Sequence, residues 1–235
     1  MTSMGVLGLA PLGRGIHGKM LDDLFYQGLI ATRAFGLAFP DASTSLLSGS
    51  PALIFGGIDT YRYSGRLQGF DIVTERSVVG LPVSFKELSY YSIVLDRLHA
   101  NFPRGEHYEH DKPVIVTLDS GSPETTLPSS FVDLVAAKLS RRVNFTLGQK
   151  EDLLIMNCTD PLLSTVTIGV TFGNMTVNVP ILDFGIVASD GEQCSVLLRK
   201  SSYDYIIGAN VFKYFYSKLH GNRSYFRHPP RQHYD

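Results

Sequence analysis

Val114-Ile115-Val116-Thr117-Leu118-Asp119-Ser120-Gly121-Ser122 is the stretch that decides how this chain is to be read. Five residues of strand-forming, nearly unbroken apolar character run into an acid, two hydroxyls and a glycine. Thr125-Thr126-Leu127-Pro128 then resumes the strand pattern. A carboxylate delivered at the end of a buried strand, on a turn tight enough to need Gly, is held rigidly while neighbouring amides and hydroxyls hydrogen-bond it. Asp and Ser also close many tight turns that have no chemistry, so the surrounding sequence has to distinguish the two readings.

Working outward, Ser129 or Ser130 is placed to cap a helix with Phe131, Leu134, Val135 and Leu139 on its apolar face. Thr165 to Phe172 alternates, Gly173-Asn174 makes a two-residue turn, and Met175 to Leu182 answers it, which predicts a β-hairpin with an exposed tip. Towards the amino end, Gly5-Val6-Leu7-Gly8-Leu9 reads as a buried strand or turn. Leu21, Leu24, Phe25, Gly28 and Leu29 predict an amphipathic helix from about Met20 to Ala34. Pro51-Ala52-Leu53-Ile54-Phe55-Gly56-Gly57 is a short buried strand stopped by glycines, and Ser92 to Leu98 is a further strand. Residues 101–113 carry Glu106, His107, Glu109, His110 and Asp111 close together. The expectation there is a solvated connecting loop, not a metal site, because no second ligand motif accompanies the cluster.

Near the carboxyl end, Tyr205-Ile206-Ile207-Gly208 repeats the apolar-apolar-Gly form of Val6-Leu7-Gly8, and a short helix follows over Asn210 to Phe215. The order of triplet and helix, strands, Asp-Ser-Gly turn, strands, then triplet and helix again predicts a duplicated architecture.

Composition narrows the function classes. The 235 residues are 44% hydrophobic and 18% charged with a formal net charge of −1, which gives no electrostatic reason to expect nucleic acid or an anionic membrane as partner. No apolar run is long enough to cross a bilayer, and Met1 to Gly15 lacks the layout of a signal peptide. Yet four asparagines, Asn144, Asn157, Asn174 and Asn222, begin N-x-[ST] glycosylation sequences. The two cysteines, Cys158 and Cys194, are either a disulfide or two buried thiols, and together with the sequons they favour the secretory route. The tail from Arg227 to Asp235 is polar and offers no hydrophobic anchor. Extracellular release, or residence in an acidic lumen, is therefore expected of a longer protein whose beginning this chain lacks.

Taken together, these segments resemble the pepsin-like aspartic proteases, closest to the fungal secreted members. Gly5 to Leu9 is similar to the apolar-apolar-Gly element near the end of the family's first lobe. Phe55-Gly56-Gly57-Ile58-Asp59 with Tyr63 to Leu67 is similar to its Phe-Gly-Gly-x-Asp segment, and Ile206 to Phe212 to its closing element. The resemblance implies a mainly β fold with a complete second lobe over 101–235, and a remnant of the first lobe plus interlobe strands over 1–100. It also implies a disulfide between Cys158 and Cys194.

In that family two carboxylates, one from each lobe, share a proton and activate a water against a peptide held in extended form. The resemblance makes Asp119 one of the pair. Gly121 lends its N–H to the carboxylate, Ser122 a hydroxyl hydrogen bond, and Ser120 points to the matching loop of the other lobe. No cofactor and no metal is implied. No other Asp-Ser-Gly or Asp-Thr-Gly occurs, since Asp59-Thr60 is followed by Tyr61, and Asp190-Gly191 lacks the hydroxyl residue. The implied function is an aspartic-type endopeptidase acting in acid, inactive as this chain alone, with the missing first lobe as its structural partner. A second copy of the chain supplying the second Asp is a rival route, disfavoured by the remnants of the first lobe. A non-catalytic module that binds peptide or protein is the alternative.

Overall fold

The computed structural model describes residues 7–10, 19–39, 51–73, 90–140, 145–147, 154–187, 193–220 and 223–227. The first part contains α1 (Lys19–Tyr26), β1 (Ala34–Ala38), β2 (Ala52–Phe55) and β3 (Gln68–Asp71). It continues with β4 (Ser92–Leu95), β5 (Arg97–Asn101), β6 (His107–His110), β7 (Val114–Leu118), β8 (Thr125–Pro128) and α2 (Ser129–Ser140). Then come β9 (Phe145–Leu147), β10 (Leu154–Asn157), β11 (Thr167–Phe172), β12 (Met175–Pro180), β13 (Gly185–Val187), β14 (Gln193–Val196) and β15 (Leu198–Ser201). The chain closes with β16 (Ile206–Ile207), α3 (Ala209–Phe212), β17 (Tyr216–His220) and β18 (Arg223–Arg227).

Four sheets organise these strands, in the orders β2-β1-β17-β18-β3, β13-β14-β10-β9, β12-β11-β5-β6 and β15-β8-β16-β7-β4. The first sheet brings the amino-terminal strands β1 to β3 against the carboxyl-terminal pair β17–β18. Strands β4 and β5 instead join sheets built from residues 107–207. Mainly β architecture is thus as the sequence implies.

The predicted first helix is shorter than expected, and the reason is local. It ends at Tyr26 because Gly28 takes a left-handed conformation (φ 70°), with Gly28 N–H donating to Phe25 O at 3.0 Å and Leu29 N–H to Leu24 O at 2.9 Å. That paired closure is a Schellman cap. The chain then reverses into β1, a strand that the helical spacing concealed. The expected strand over Ser92 to Leu98 divides at Asp96, whose N–H donates to Thr171 O at 2.9 Å. The expected connecting loop over 101–113 contains a strand, β6, paired with β5. Only Leu7 to Ala10 of the first apolar-apolar-Gly element is described. It forms no strand, and Leu7 is exposed.

The hairpin forms as expected from β11 and β12, in register from Thr167↔Pro180 to Phe172↔Met175. Its tip is fastened to the rest of the molecule. Gly173 (φ 54°) donates its N–H to Asp96 Oδ2 at 2.6 Å, and Phe70 of β3 lies against it. In α2 the buried residues are Phe131, Val132, Val135 and Leu139, so Val132 faces the core where Leu134 was expected. Cys158 and Cys194 form a disulfide with Cα atoms 5.7 Å apart, bridging the end of β10 to β14. Aromatic rings knit the first sheet to the hairpin: Phe226 of β18 lies 4.7 Å from Phe215 and 5.6 Å from Phe172.

The first sheet depends on a close approach at Gly36 of β1. The Tyr216 hydroxyl occupies the space that a Cβ would take there, and its oxygen accepts the Asp59 N–H at 3.1 Å. Burial pushes the Tyr216 phenol above its ordinary value, so it stays protonated. Tyr63 stacks on the Tyr216 ring at 5.0 Å. Asp59 meanwhile accepts from Tyr61 N–H at 3.0 Å and pairs with Arg62 at 3.0 Å, so the Phe-Gly-Gly-x-Asp segment is anchored to β17. Tyr216→Phe removes the acceptor for Asp59 N–H and is expected to lower unfolding stability by about 1–2 kcal/mol in a denaturant titration.

Candidate active site

Strand β7 runs through the core with a strand paired along each edge. Ile115, Val116 and Leu118 are buried, and β4 and β16 pair with it on either side. The chain must turn as it emerges, and the turn is Asp119-Ser120-Gly121-Ser122. Ser122 N–H donates to Asp119 O at 3.2 Å, and Gly121 N–H donates to Asp119 Oδ1 at 2.9 Å. Asp119, Ser120 and Gly121 are exposed. Gly121 therefore stands where the resemblance places it, donating to the carboxylate.

Ser122 behaves differently from its implied role. Its hydroxyl donates to Glu124 O at 2.9 Å and accepts from Glu124 N–H at 3.2 Å, so it braces the turn and not the carboxylate. Ser120 is exposed at the apex of the turn.

What orients the turn is a strand from far along the chain. β16 passes between the two arms of the corner, parallel to β7 (Ile206↔Thr117, Ile207↔Leu118) and antiparallel to β8 (Ile206↔Thr126). Asp119 N–H donates to Ile207 O at 3.0 Å, and Ala209 N–H donates to Ser122 O at 2.8 Å. Gly208 lies between these bonds. A Cβ there would meet Glu124 O and sit 2.8 Å from Ser122 O, both backbone atoms that cannot swing aside. Its φ of −94° is open to any residue, so close approach is what requires glycine here.

The residues that carry this arrangement, Thr125, Asn210, Glu124, Arg199 and Tyr91, had no site role in the sequence pattern. Thr125, wholly buried, accepts Gly208 N–H at 3.1 Å and donates its hydroxyl to Asn210 Oδ1 at 2.5 Å. Asn210 Nδ2–H in turn donates to Leu197 O at 3.3 Å. Buried polar groups are costly unless satisfied, and the Thr125 hydroxyl here both accepts and donates. Glu124 forms an ion pair with Arg199 of β15, including Arg199 Nη2–H to Glu124 Oε1 at 2.9 Å. Tyr91 carries the far side: its carbonyl accepts Leu118 N–H at 2.9 Å, and burial raises its phenol to about 12. Its ring meets Phe35 of β1 edge-on at 5.7 Å. The spacing Thr125, Gly208, Asn210 has no periodicity, so nothing short of the folded chain marks it as a unit.

The histidines and acids of 101–113 do not converge. Pleating puts His107 and Glu109 on one face of β6, and Tyr108 and His110 on the other. Among the described residues no group of three or more His, Cys, Asp or Glu is arranged to hold a metal ion, and no helix is long and apolar enough to cross a membrane. Of the four sequons, Asn157 and Asn174 are described. Asn174 is exposed at the hairpin tip. Asn157 Oδ1 accepts Thr159 N–H at 2.9 Å and the Thr159 hydroxyl at 2.7 Å. Asn144, Asn222 and the tail beyond Arg227 lie outside the described residues.

A mainly β chain whose Asp-Ser-Gly turn is clasped by a distant apolar-apolar-Gly strand has the pepsin-like fold. It belongs to the eukaryotic aspartyl protease family: the sequence profile described as "Eukaryotic aspartyl protease" matches residues 1–224. Candidapepsin-2 of Candida parapsilosis is 28% identical over 197 residues, covering 81% of this chain and 41% of that protein. Aspartic proteinase yapsin-3 of Saccharomyces cerevisiae is 29% identical over 170 residues, covering 72% of this chain and 30% of that protein. A probable aspartic-type endopeptidase opsB of Aspergillus oryzae is 29% identical over 121 residues. The chain thus spans less than half the length of these curated relatives.

Replacing Gly208 by Val forces the turn away from β16. Expected are a loss of more than about 3 kcal/mol of stability in thermal or denaturant unfolding, and faster amide exchange at Asp119 and Ala209.

Proposed function

We propose that the chain is the complete second lobe of an aspartic endopeptidase with a remnant of its first lobe, and that Asp119 is one of two catalytic carboxylates. The observation that carries this reading is the placement of Asp119: an exposed carboxylate, steadied by Gly121 N–H, on a turn pinned by β16. A single carboxylate cannot act as base toward water and as acid toward the scissile carbonyl in the same step. The second carboxylate comes from a first lobe facing the turn, so this chain by itself is inactive. In that pair one proton is shared, the ionised member draws a proton from water, and the protonated member donates to the carbonyl oxygen. Because the pair works only when one proton is held between the two groups, activity belongs to acid pH.

In this reading residues 101–235 form the second lobe, and residues 1–100 hold a remnant of the first lobe and the strands between lobes. The sheet that joins β1 to β3 with β17 and β18 supports the interlobe strands, whereas β4 and β5 (Ser92 to Asn101) pair with strands of the second lobe. The substrate is a polypeptide in extended conformation, with no part for nucleic acid. The full-length protein travels the secretory route to the extracellular space or an acidic lumen, a reading supported by the Cys158–Cys194 disulfide and the fungal relatives.

The test joins the chain to a first lobe bearing an Asp-Thr/Ser-Gly turn and follows cleavage of an unstructured peptide across acid pH. Activity with a bell-shaped profile is expected, and Asp119→Asn should reduce kcat about a hundredfold or more. Undiminished cleavage by that variant sinks the assignment. On the same route, Asn174 and Asn157 are expected to carry N-glycans. Intact mass before and after enzymatic deglycosylation checks this, with loss of one glycan from each of Asn174→Gln and Asn157→Gln.

A further inference from the structure

Among the described residues strand β6 is an edge strand, paired to its sheet through β5 alone. On the outer face of this pair, Asn101 stands opposite His107 and His99 opposite Glu109. His107 Nδ1 lies 2.7 Å from Asn101 Oδ1, and its Nε2 lies 2.9 Å from Glu109 Oε1. Both ring nitrogens therefore face oxygen acceptors. The Asn101 amide is oriented for this by donating from Nδ2 to Thr167 Oγ1 at 3.0 Å, which turns its oxygen towards the imidazole. A neutral imidazole carries one N–H and can satisfy one of these acceptors, whereas the imidazolium donates to both.

Among the described residues, the other charged groups on this face come from β5. Arg97 lies 3.7 Å from Glu109, and the His99 ring is 5.2 Å from that of His107, with Nε2 placed 2.9 Å from Asn178 Oδ1 across Gly169. The strands beyond add Thr167, Gly169 and Thr171 from β11 and Thr176 and Asn178 from β12, none of them charged. The His107 hydrogen bond, and after it the nearby charge of Arg97, hold the Glu109 carboxyl below its usual range.

We propose that His107 is a proton-operated clasp on edge strand β6: as imidazolium it ties Asn101 and Glu109 together across β5 and β6, and on losing its proton it must release one of them. The clasp is closed while the ring holds both protons and slack once it has given one up. The Glu109 contribution, from a carboxyl whose folded value is lowered, is present above the unfolded value of 4.5 and fades as pH falls through the folded one. Full closure therefore needs Glu109 ionised and His107 carrying both its protons. Strand β6 leads through Asp111, Lys112 and Pro113 directly into β7, so the clasp steadies the approach to Asp119 in mildly acid conditions.

Amide exchange of the intact chain, corrected for intrinsic rates, tests this at about pH 5 and about pH 7.5. Protected β6 amides are expected to open about threefold to fivefold more readily at the higher pH. His107→Gln keeps a side-chain amide but cannot titrate and should abolish the difference, while His99→Gln should retain it. The same opening at both pH values in the unaltered protein overturns the proposal, as does a difference that survives in His107→Gln. Nitrogen chemical shifts give an independent reading that needs no variant: both His107 ring nitrogens protonated at about pH 5 is expected, and only one protonated overturns it. None of these measurements depends on peptidase activity.

Discussion

The contact between Gly208 and the carbonyls of Ser122 and Glu124 is the constraint on which the site rests. A β-turn at the end of a strand is held loosely by its own hydrogen bonds, and here the intrinsic ones are few: Ser122 N–H to Asp119 O, and Gly121 N–H to the carboxylate. Pressing a second chain segment against the turn at backbone distance converts it into part of a sheet. The bonds from Asp119 N–H to Ile207 O and from Ala209 N–H to Ser122 O then fix its direction. That approach is possible only without a side chain at 208. It is completed by a hydrogen-bond network through Thr125 and Asn210, which would be costly to leave half made.

The same device appears in the first sheet. Gly36 admits the Tyr216 hydroxyl where a Cβ would stand, and that hydroxyl receives Asp59 N–H. In both places a glycine in one segment lets a distant segment come within hydrogen-bonding range. In both, the carboxyl-terminal stretch Ile206 to His220 is the incoming partner. One short region thus joins the candidate active-site turn to the strands of the amino-terminal part. Aromatic packing of Phe215, Phe226, Phe172 and Phe70 extends this connection to the hairpin.

Local pattern carried well where a segment is short and bounded by strong signals. The β11–β12 hairpin follows from alternation interrupted by Gly173-Asn174, and α2 from an apolar face beginning after Pro128. Pattern misled where two periods overlap or where charge was taken for solvation. Helical spacing through Leu29 hid both the glycine cap at Gly28 and the strand β1. The polar composition of 101–113 hid β6, which tolerates His and Glu because its outer face meets water.

Sequence alone marked the Asp-Ser-Gly turn, the family and the presence of a disulfide-competent pair of cysteines. Each of these is written in contiguous residues or in their order. Only the tertiary structure decided which groups hold the turn. It placed Ser122 on Glu124 instead of Asp119, brought Thr125 and Asn210 together across 85 positions, and laid His107 between Asn101 and Glu109. The physical reason is that hydrogen bonds are chosen by distance and direction in the folded state, and a strand threaded between two others sets both from residues far apart in the chain.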